Sequence, residues 1–360
     1  MSKLAKPMFS RAMLRCMLLV FSVAMGPAWA LETQVSNASK VPTKSVVGVS
    51  QTAPNVKVPA KASHQATVKA VAKPASAVLS QPVIAKSLMP VNRLPVVLDI
   101  AAVAEVAHAH GVPLIIDNTV PSPLLCNPLA LGADIVVHSA TKYLAGHGTT
   151  LGGVVVEGGK FPWDNGKFPG MTEPSQGYHG VKFYETFGDF GFTMRCRMES
   201  LRVFGASLSP MSAWQILQGV ETLPLRMQKH CDNALGVAKF LQADPRVAWV
   251  NYPGLPDHPQ HALMQRQMRG ASGLLSFGVK GGLAQGVTFI ESAQFMSHLV
   301  NIGDTRTLIS HPASTTHRQL DEAQQLAAGV PPDMVRISVG LENLDDILWD
   351  IDQALDKASR

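Results

Sequence analysis

Two charged residues, each directly after a short apolar run, constrain the fold of this chain more than any other feature. Asp117 ends the run VPLIID, and Lys142 follows DIVVHSAT. A stretch of helical length separates the two runs. This alternation is typical of buried strands in an open α/β sheet. We therefore expect Asp117 and Lys142 to lie at the carboxyl ends of parallel strands, where such sheets bind ligands.

A carboxylate and an amine at this edge of the sheet fit the chemistry of pyridoxal phosphate. The amine forms an imine with the cofactor aldehyde, and the carboxylate keeps the pyridine nitrogen protonated so that the ring withdraws electrons. Ser139 and Thr141 precede Lys142 and place hydroxyl groups where the cofactor phosphate would lie. The alternatives are an exposed loop lysine at Lys142 and a helix-capping carboxylate at Asp117.

Residues 1–30 resemble a secretory signal. Four basic residues precede an apolar core at 16–25, and the triplet AWA ends the segment. The apolar core is too short to span a bilayer. The alternative is a misplaced start upstream of a cytoplasmic enzyme. The remaining cysteines, Cys126, Cys196 and Cys231, form no CxxC pair and suit a reducing compartment, which conflicts with export.

Residues 31–92 are rich in Ala, Val, Lys, Ser, Pro and Thr and show no helical or strand period, which predicts a disordered low-complexity spacer. The basic excess of the chain lies in its N-terminal part, since residues 1–90 hold eleven Lys or Arg and one acid, Glu32. The rest of the chain is slightly acidic, with 25 acids against 20 bases. We therefore expect no nucleic-acid partner, and no membrane partner once the signal is removed.

The globular part is α/β and divides near residue 243. Residues 93–243 alternate strand and helix patterns and end in two long helical stretches, about 189–204 and 208–243. Residues 244–360 alternate again and finish in an amphipathic helix, which predicts a smaller α/β domain. Only two or three strand patterns precede the long helices, and no glycine-rich phosphate loop precedes them.

Arg336 lies within an apolar strand pattern, MVRISVG, where a guanidinium needs acceptors. A substrate carboxylate would provide a bidentate partner; the alternative is a structural pair with Glu342. His311 and His317 are six residues apart with no third ligand nearby, a poor pattern for zinc, and we predict no metal site.

From about Leu94 to Arg360 the chain resembles the Cys/Met-metabolism pyridoxal-phosphate enzymes, and most closely their O-acetylhomoserine sulfhydrylase branch. The resemblance rests on IIDNT, LGADIVVHSATKYLAGHGTTLGGVVVEGGKF, LQGVETLPLRMQKH, NIGDTRTLISHPASTTH and VRISVGLEN. It implies part of the large domain of a fold-type I transferase and a smaller C-terminal α/β domain. It implies that Lys142 carries the cofactor and that Asp117, Ser139 and Thr141 contact it.

The resemblance also implies a substrate site and a reaction. Arg336 would bind the substrate α-carboxylate, and Asn301 would contact it. The implied reaction is γ-replacement on O-acetylhomoserine by sulfide or a small thiol, within methionine biosynthesis, by a cytoplasmic homo-oligomer. The family's N-terminal half has no counterpart in residues 1–92, so impaired activity is expected. The rival interpretations are a γ- or β-eliminating lyase of sulfur amino acids and a non-catalytic exported remnant.

Overall fold

The computed structural model describes residues 83–86, 88–91 and 94–360. The predicted signal, residues 1–30, and residues 31–82 of the predicted spacer lie outside this part of the chain. Residues 83–86 and 88–91, near the end of the predicted spacer, form strands. The segment 83–86 is a strand because it pairs with a neighbouring strand, a long-range contact that its composition does not reveal.

The described residues form eleven strands and eleven α-helices, besides short 3₁₀ and π-helical segments. The strands are β1 Val83–Lys86, β2 Leu88–Val91, β3 Leu94–Val97, β4 Leu114–Asp117, β5 Ile135–Ser139, β6 Gly153–Glu157, β7 Val247–Asn251, β8 Leu274–Val279, β9 Ser297–His298, β10 Leu308–Ser310 and β11 Met334–Ser338. The α-helices are α1 Ile100–Ala109, α2 Ser122–Leu125, α3 Pro169–Thr172, α4 Phe183–Phe187, α5 Gly191–Arg195, α6 Arg202–Phe204, α7 Pro210–Ala243, α8 His261–Gln267, α9 Leu283–Ser292, α10 Glu322–Ala327 and α11 Leu344–Ala358.

The first sheet has the order β1-β4-β5-β6. The pairs β1–β4 and β4–β5 are parallel, whereas β6 runs antiparallel to β5. Asp117 lies opposite Val137 in the register. Because both strands run in the same direction, their carboxyl ends meet at one edge, where Asp117 and Ser139 end β4 and β5. The predicted parallel placement of these strand ends is confirmed.

The second sheet has the order β7-β8-β11-β10-β9 and contains both parallel and antiparallel pairs. Its strand β8 is buried along its whole length. Arg336 lies at the middle of β11, opposite Ser276 of β8 and Ser310 of β10. A single apolar core joins residues of this sheet, the first sheet and the long helix α7. The α/β class predicted from sequence is confirmed.

Helix α7 is the longest element and begins with a capped turn. Ser209 accepts a hydrogen bond from the Ser212 backbone N–H, and Pro210 occupies the first helical position. Buried residues recur along one face, including Leu223, Met227 and His230. This helical spacing packs α7 against β7 and β8 of the second sheet. The predicted helix over 208–243 is therefore observed.

Two predicted helices are broken. The stretch between the apolar runs of β4 and β5, LLCNPLALGA, predicts a helix over 124–133. It is instead divided between α2 and a separate 3₁₀ turn at Pro128–Leu131, because proline supplies no backbone N–H to continue a helix. The stretch 189–204 contains a π-helical segment, Cys196–Leu201, between α5 and α6. Tyr178 donates its hydroxyl to the Met198 carbonyl in this segment. Within the described residues, no helix is both long enough and apolar enough to cross a membrane.

Candidate active site

Thr119 joins the ends of β4 and β5 at the candidate site. Its backbone N–H donates to Asp117 Oδ1 at 3.0 Å, and its hydroxyl accepts from the Ser139 N–H at 2.8 Å. The first bond lies at the end of β4 and the second reaches the end of β5. Together they fix the Asp117 carboxylate relative to Ser139, where the turn after β5 begins. Asp117 and Ser139 are only partly buried, which leaves them open to a ligand at this edge.

Lys142 lies in the turn that follows β5. Its backbone N–H donates to the Ser139 carbonyl, and its ammonium donates to Asn301 Oδ1. The pKa of Lys142 lies below its ordinary value. Burial is the larger cause, and the positive charge of Arg336 is the smaller one. Three residues from distant parts of the sequence, Lys142, Asn301 and Arg336, thus meet in one place. A lowered pKa favours the neutral amine that a nucleophile or base requires.

Thr141 is less available than the sequence predicts. Its hydroxyl accepts from the Gly152 N–H at 3.1 Å and lies 3.4 Å from the Gly152 carbonyl as a donor. These contacts tie the start of the lysine turn to the residues before β6. Thr141 would have to exchange a backbone contact for a phosphate oxygen, whereas Ser139 uses only its backbone N–H in the contact with Thr119.

Arg336 is a partly buried cation in the middle of a strand. Burial lowers its pKa, and the adjacent Tyr143 opposes this shift. The alternative pairing with Glu342 is not observed, because the Glu342 carboxylate accepts from the backbone N–H and the hydroxyl of Thr307 at 2.6 and 2.8 Å. Among the described residues, Arg336 forms no ion pair with a carboxylate. A guanidinium in this position is suited to an anionic ligand.

The two histidines considered for metal binding have structural partners. His311 is buried, with Nδ1 2.8 Å from Ser314 Oγ and Nε2 2.8 Å from the Pro332 carbonyl. His317 contacts the Thr316 hydroxyl at 2.8 Å. No group of three potential metal ligands occurs in the part of the chain that the structure describes.

Two residues that build this site were not singled out from sequence, Thr119 and Arg226. Thr119 carries a weak signal, a hydroxyl two residues beyond a strand-end carboxylate. Arg226 carries a stronger one, because it lies on the apolar stripe of α7 between Leu223 and Met227. A charged residue on a buried helix face needs partners elsewhere in the fold. Those partners are backbone atoms of the lysine turn, which no sequence pattern identifies.

The chain is similar in sequence to proteins of one known family over most of its length. The family model described as Cys/Met metabolism PLP-dependent enzyme matches residues 41–356. The O-acetyl-L-homoserine sulfhydrylase of Leptospira meyeri is 54% identical over 268 residues, which cover 72% of this chain and 61% of that protein. The homocysteine/cysteine synthase of Saccharomyces cerevisiae is 42% identical over 272 residues, with 72% and 61% covered. The chain thus spans about three fifths of the length of these curated relatives.

Solved structures share the fold. A putative O-acetylhomoserine (thiol)-lyase from Campylobacter jejuni, which carries a pyridoxyl-lysine monophosphate, superposes with a TM-score of 0.73 at 38% identity. The match covers 77% of this chain and 66% of that one. A cystathionine gamma-lyase from Lactobacillus plantarum gives a TM-score of 0.63 at 32% identity, with 78% and 64% covered. The family match begins at residue 41, inside the predicted spacer, so disorder of residues 31–82 stays a prediction.

Proposed function

The chain belongs to the family of Cys/Met metabolism PLP-dependent enzymes, and from this premise we propose that its site performs γ-replacement on O-acetylhomoserine. Sulfide or a small thiol is the incoming group, and homocysteine or a thioether is the product. The observation that carries the proposal is the meeting of Lys142, Asn301 and Arg336 beside the strand ends that bear Asp117 and Ser139. Curated relatives named as sulfhydrylases and homocysteine synthases support it.

The residues present fit pyridoxal phosphate. Lys142 would hold the cofactor through its amine, Asp117 would hold a proton on the ring nitrogen, and the hydroxyls of Ser139 and Thr141 would receive the phosphate. The fit is good for the amine and the carboxylate, which stand at one edge of the sheet. It is weaker for the phosphate, because Thr141 is already bonded to Gly152. When bound, the cofactor supplies an electron sink for charge that develops on the substrate.

The side chains then have distinct tasks. Arg336 would bind the substrate α-carboxylate through paired N–H donors, which fixes the α-carbon near Lys142. Lys142 in its neutral form would take the α-proton, and its lowered pKa raises the neutral fraction near neutral pH. Asn301 accepts a hydrogen bond from the Lys142 amine and so directs it. Acetate leaves from the γ-carbon, and the sulfur of the incoming thiol forms the new bond there.

Two other functions compete with this proposal. A γ- or β-eliminating lyase would use the same residues but release an α-keto acid and ammonia, and the structural likeness to a cystathionine gamma-lyase favours testing it. A non-catalytic remnant would bind little cofactor. The products separate the first rival from the proposal, and cofactor binding separates the second.

We expect the 360-residue polypeptide to form homocysteine slowly. Lys142, Asp117 and Arg336 are present, but the described residues offer few phosphate donors, and loss of one well-placed donor costs about a hundredfold or more. The assay is homocysteine formation from O-acetylhomoserine and sulfide with saturating pyridoxal phosphate. A rate below about 1 per second but above that of Lys142→Ala is predicted. Release of an α-keto acid without a thiol adduct would instead identify the lyase.

We propose that the protein works as a homo-oligomer. Exposed large apolar side chains cluster in sequence around α6 and the start of α7: Val203, Phe204, Met211 and Trp214. Phe204 is 82% exposed, an unfavourable state for an aromatic side chain in water. Light scattering of the purified chain should give at least twice the monomer mass of 38.5 kDa. A strictly monomeric species at micromolar concentration would contradict the proposal.

A further inference from the structure

The turn that carries Lys142 is neither helix nor strand, so its carbonyl groups have no regular ladder of backbone partners. The Lys142 carbonyl accepts from the Gly146 N–H at 2.8 Å. The Ala145 carbonyl lies 2.7 Å from His147 Nδ1, and the Gly146 carbonyl accepts from the Thr305 N–H at 2.9 Å. These contacts leave the carbonyls of the two residues directly after Lys142 for a partner from another element.

Arg226 of helix α7 provides that partner. Its Nη1 donates to the Tyr143 carbonyl at 2.8 Å, and its Nη2 reaches the Leu144 carbonyl at 3.2 Å. The same guanidinium donates to the Gly219 carbonyl at 2.6 Å and, through Nε, to Thr222 Oγ1 at 3.1 Å. Four oxygens on two elements therefore hold one planar group, and this geometry links the helix to the turn.

The lysine turn lies directly on α7. A methyl group added at Gly219 would come within 2.3 Å of the Ala145 carbonyl oxygen, so only a glycine allows this approach. Gly146 has a φ of +80°, and a methyl group there would lie 2.4 Å from Arg226 Nη1. The helix face and the turn are therefore fitted to one another around the guanidinium, with no space between them for another side chain.

Arg226 is an unusual residue to bury. It is 6% exposed, and it forms no ion pair with a carboxylate among the residues that the structure describes. Burial lowers its pKa to about 10. A buried cation without a counter-ion is costly, and an apolar residue would serve core packing at lower cost. The compensation is the set of carbonyls that it satisfies, two of which belong to the lysine turn.

We infer that Arg226 is a positioning residue for Lys142, holding the turn so that the amine points at Asn301 and toward Arg336. The inference rests on the proposed function, because it assumes that Lys142 is the reactive amine. Arg226 itself touches no reacting atom. Its effect passes through the carbonyls of Tyr143 and Leu144, one and two residues after the lysine. A displacement of about 1 Å at a reacting group costs about a hundredfold in rate.

The test uses the full chain with Arg226→Lys, which keeps the positive charge but removes the fork that reaches both carbonyls. Thr222→Val is a second, milder variant, since it keeps the guanidinium and removes the acceptor that orients it. The primary readout is acetylation of Lys142 by acetic anhydride as a function of pH, measured by peptide mass spectrometry in the absence of cofactor. Exposed Lys160 in the same sample is the internal reference for the reagent.

In the native chain, Lys142 should label at lower pH than an ordinary lysine, because it is partly buried and faces Arg336. When the contacts of Arg226 with the lysine turn are lost, Lys142 should become more exposed and lie farther from the charge of Arg336. We expect less labelling of Lys142 relative to Lys160 near pH 8, because the pKa of Lys142 rises toward its ordinary value and less of the amine is neutral. The rate of homocysteine formation should fall by about a hundredfold, mainly in kcat.

Arg246→Lys is the matched control. Arg246 is also a multiply bonded arginine, held by Asp244, Asp352 and Asp356, but its partners lie away from the lysine turn. This variant should lose stability without changing the labelling of Lys142. Folded Arg226→Lys and Thr222→Val chains that label Lys142 as the native chain does would overturn the inference. If no chain forms homocysteine, the proposed function fails, but the labelling of Lys142 still decides the role of Arg226. If Arg226→Lys does not fold, the labelling of Lys142 in Thr222→Val decides that role.

Discussion

Arg336→Met is expected to make the protein more stable while it weakens the binding of an amino-acid substrate. The guanidinium lies in β11 between two serine positions, Ser276 and Ser310, and its pKa is lowered by burial. No carboxylate among the described residues pairs with it. A methionine removes the cost of an unpaired charge, which we expect to raise the free energy of unfolding by about 1–3 kcal/mol.

The same change removes the partner for the substrate carboxylate. Loss of one member of a buried charge pair costs about 2–5 kcal/mol, so the KM for O-acetylhomoserine should rise by about 30-fold or more. Urea unfolding measures the first effect, and the homocysteine assay measures the second. Arg246→Met is the control and should lower the free energy of unfolding, because Arg246 contacts three aspartates. An Arg336→Met chain that is destabilised and keeps its KM would assign Arg336 a structural role.

Acid should destabilise the protein well above the range in which carboxylates titrate. His138 of β5 and His230 of α7 are buried, and burial lowers the pKa of each to about 4. Around His138, the charge of Asp117 opposes the shift; around His230, Arg226 adds to it, and Asp304 and the Val339 carbonyl oppose it. His138 Nδ1 and His230 Nε2 have no hydrogen-bond partner in the described structure. His138 precedes Ser139 in the apolar run DIVVHS, a position that predicts a core histidine with its hydrogen bonds satisfied, and the unpartnered Nδ1 differs from that prediction.

The direction in which stability changes with pH follows from proton binding. Between pH 6.5 and about 4 the unfolded chain binds a proton at each histidine and the folded chain does not, so stability falls as the pH falls. Each histidine contributes about 3 kcal/mol across this window. Asp244 and Asp304 have lowered pKa values, and their stabilising contribution is lost only as the pH falls below 3.8. The window above pH 4 therefore reports mainly the histidines.

Urea unfolding at several pH values between 7 and 4.5 tests this expectation. In His230→Gln the loss of stability across the window should be smaller than that of the native chain by about 3 kcal/mol, whatever the variant's stability at pH 7. The other histidines with a lowered pKa, His138, His258 and His311, contribute equally to both chains. An equal loss in the native and variant chains would show that His230 is protonated in the folded state. Because the comparison is within each chain, a general destabilisation by the substitution does not affect it.

Sequence identified the parts of the fold that depend on local pattern. Strands β4 and β5, with the functional residues at their ends, follow from short apolar runs, and α7 follows from its periodicity and its proline at the first helical position. The conformation of the segment 124–133 was not predicted correctly, because its apolar residues suggest one helix and Pro128 divides it. Strand β1 did not follow either, since its conformation depends on pairing with β4.

Some residues of the candidate site can likewise be predicted from sequence, and others cannot. Lys142, Asp117 and Arg336 carry charge in apolar surroundings, so sequence alone singles them out. Thr119 and Arg226 act through backbone groups, and backbone partners leave no mark on a sequence. The Arg226 contact joins residues 83 positions apart, a separation that no local pattern encodes. Positioning residues of this kind therefore require the fold before they can be recognised.

Lys142 is the residue that we propose holds pyridoxal phosphate. Its setting after β5, its contact with Asn301 and its lowered pKa all support that role. The most direct measurement is reduction with sodium borohydride after incubation with pyridoxal phosphate, followed by peptide mapping. Lys142→Ala serves as the control and should carry no pyridoxyl group at this site. We expect a single pyridoxyl label on Lys142, and labelling of a different lysine in the native chain would contradict this assignment.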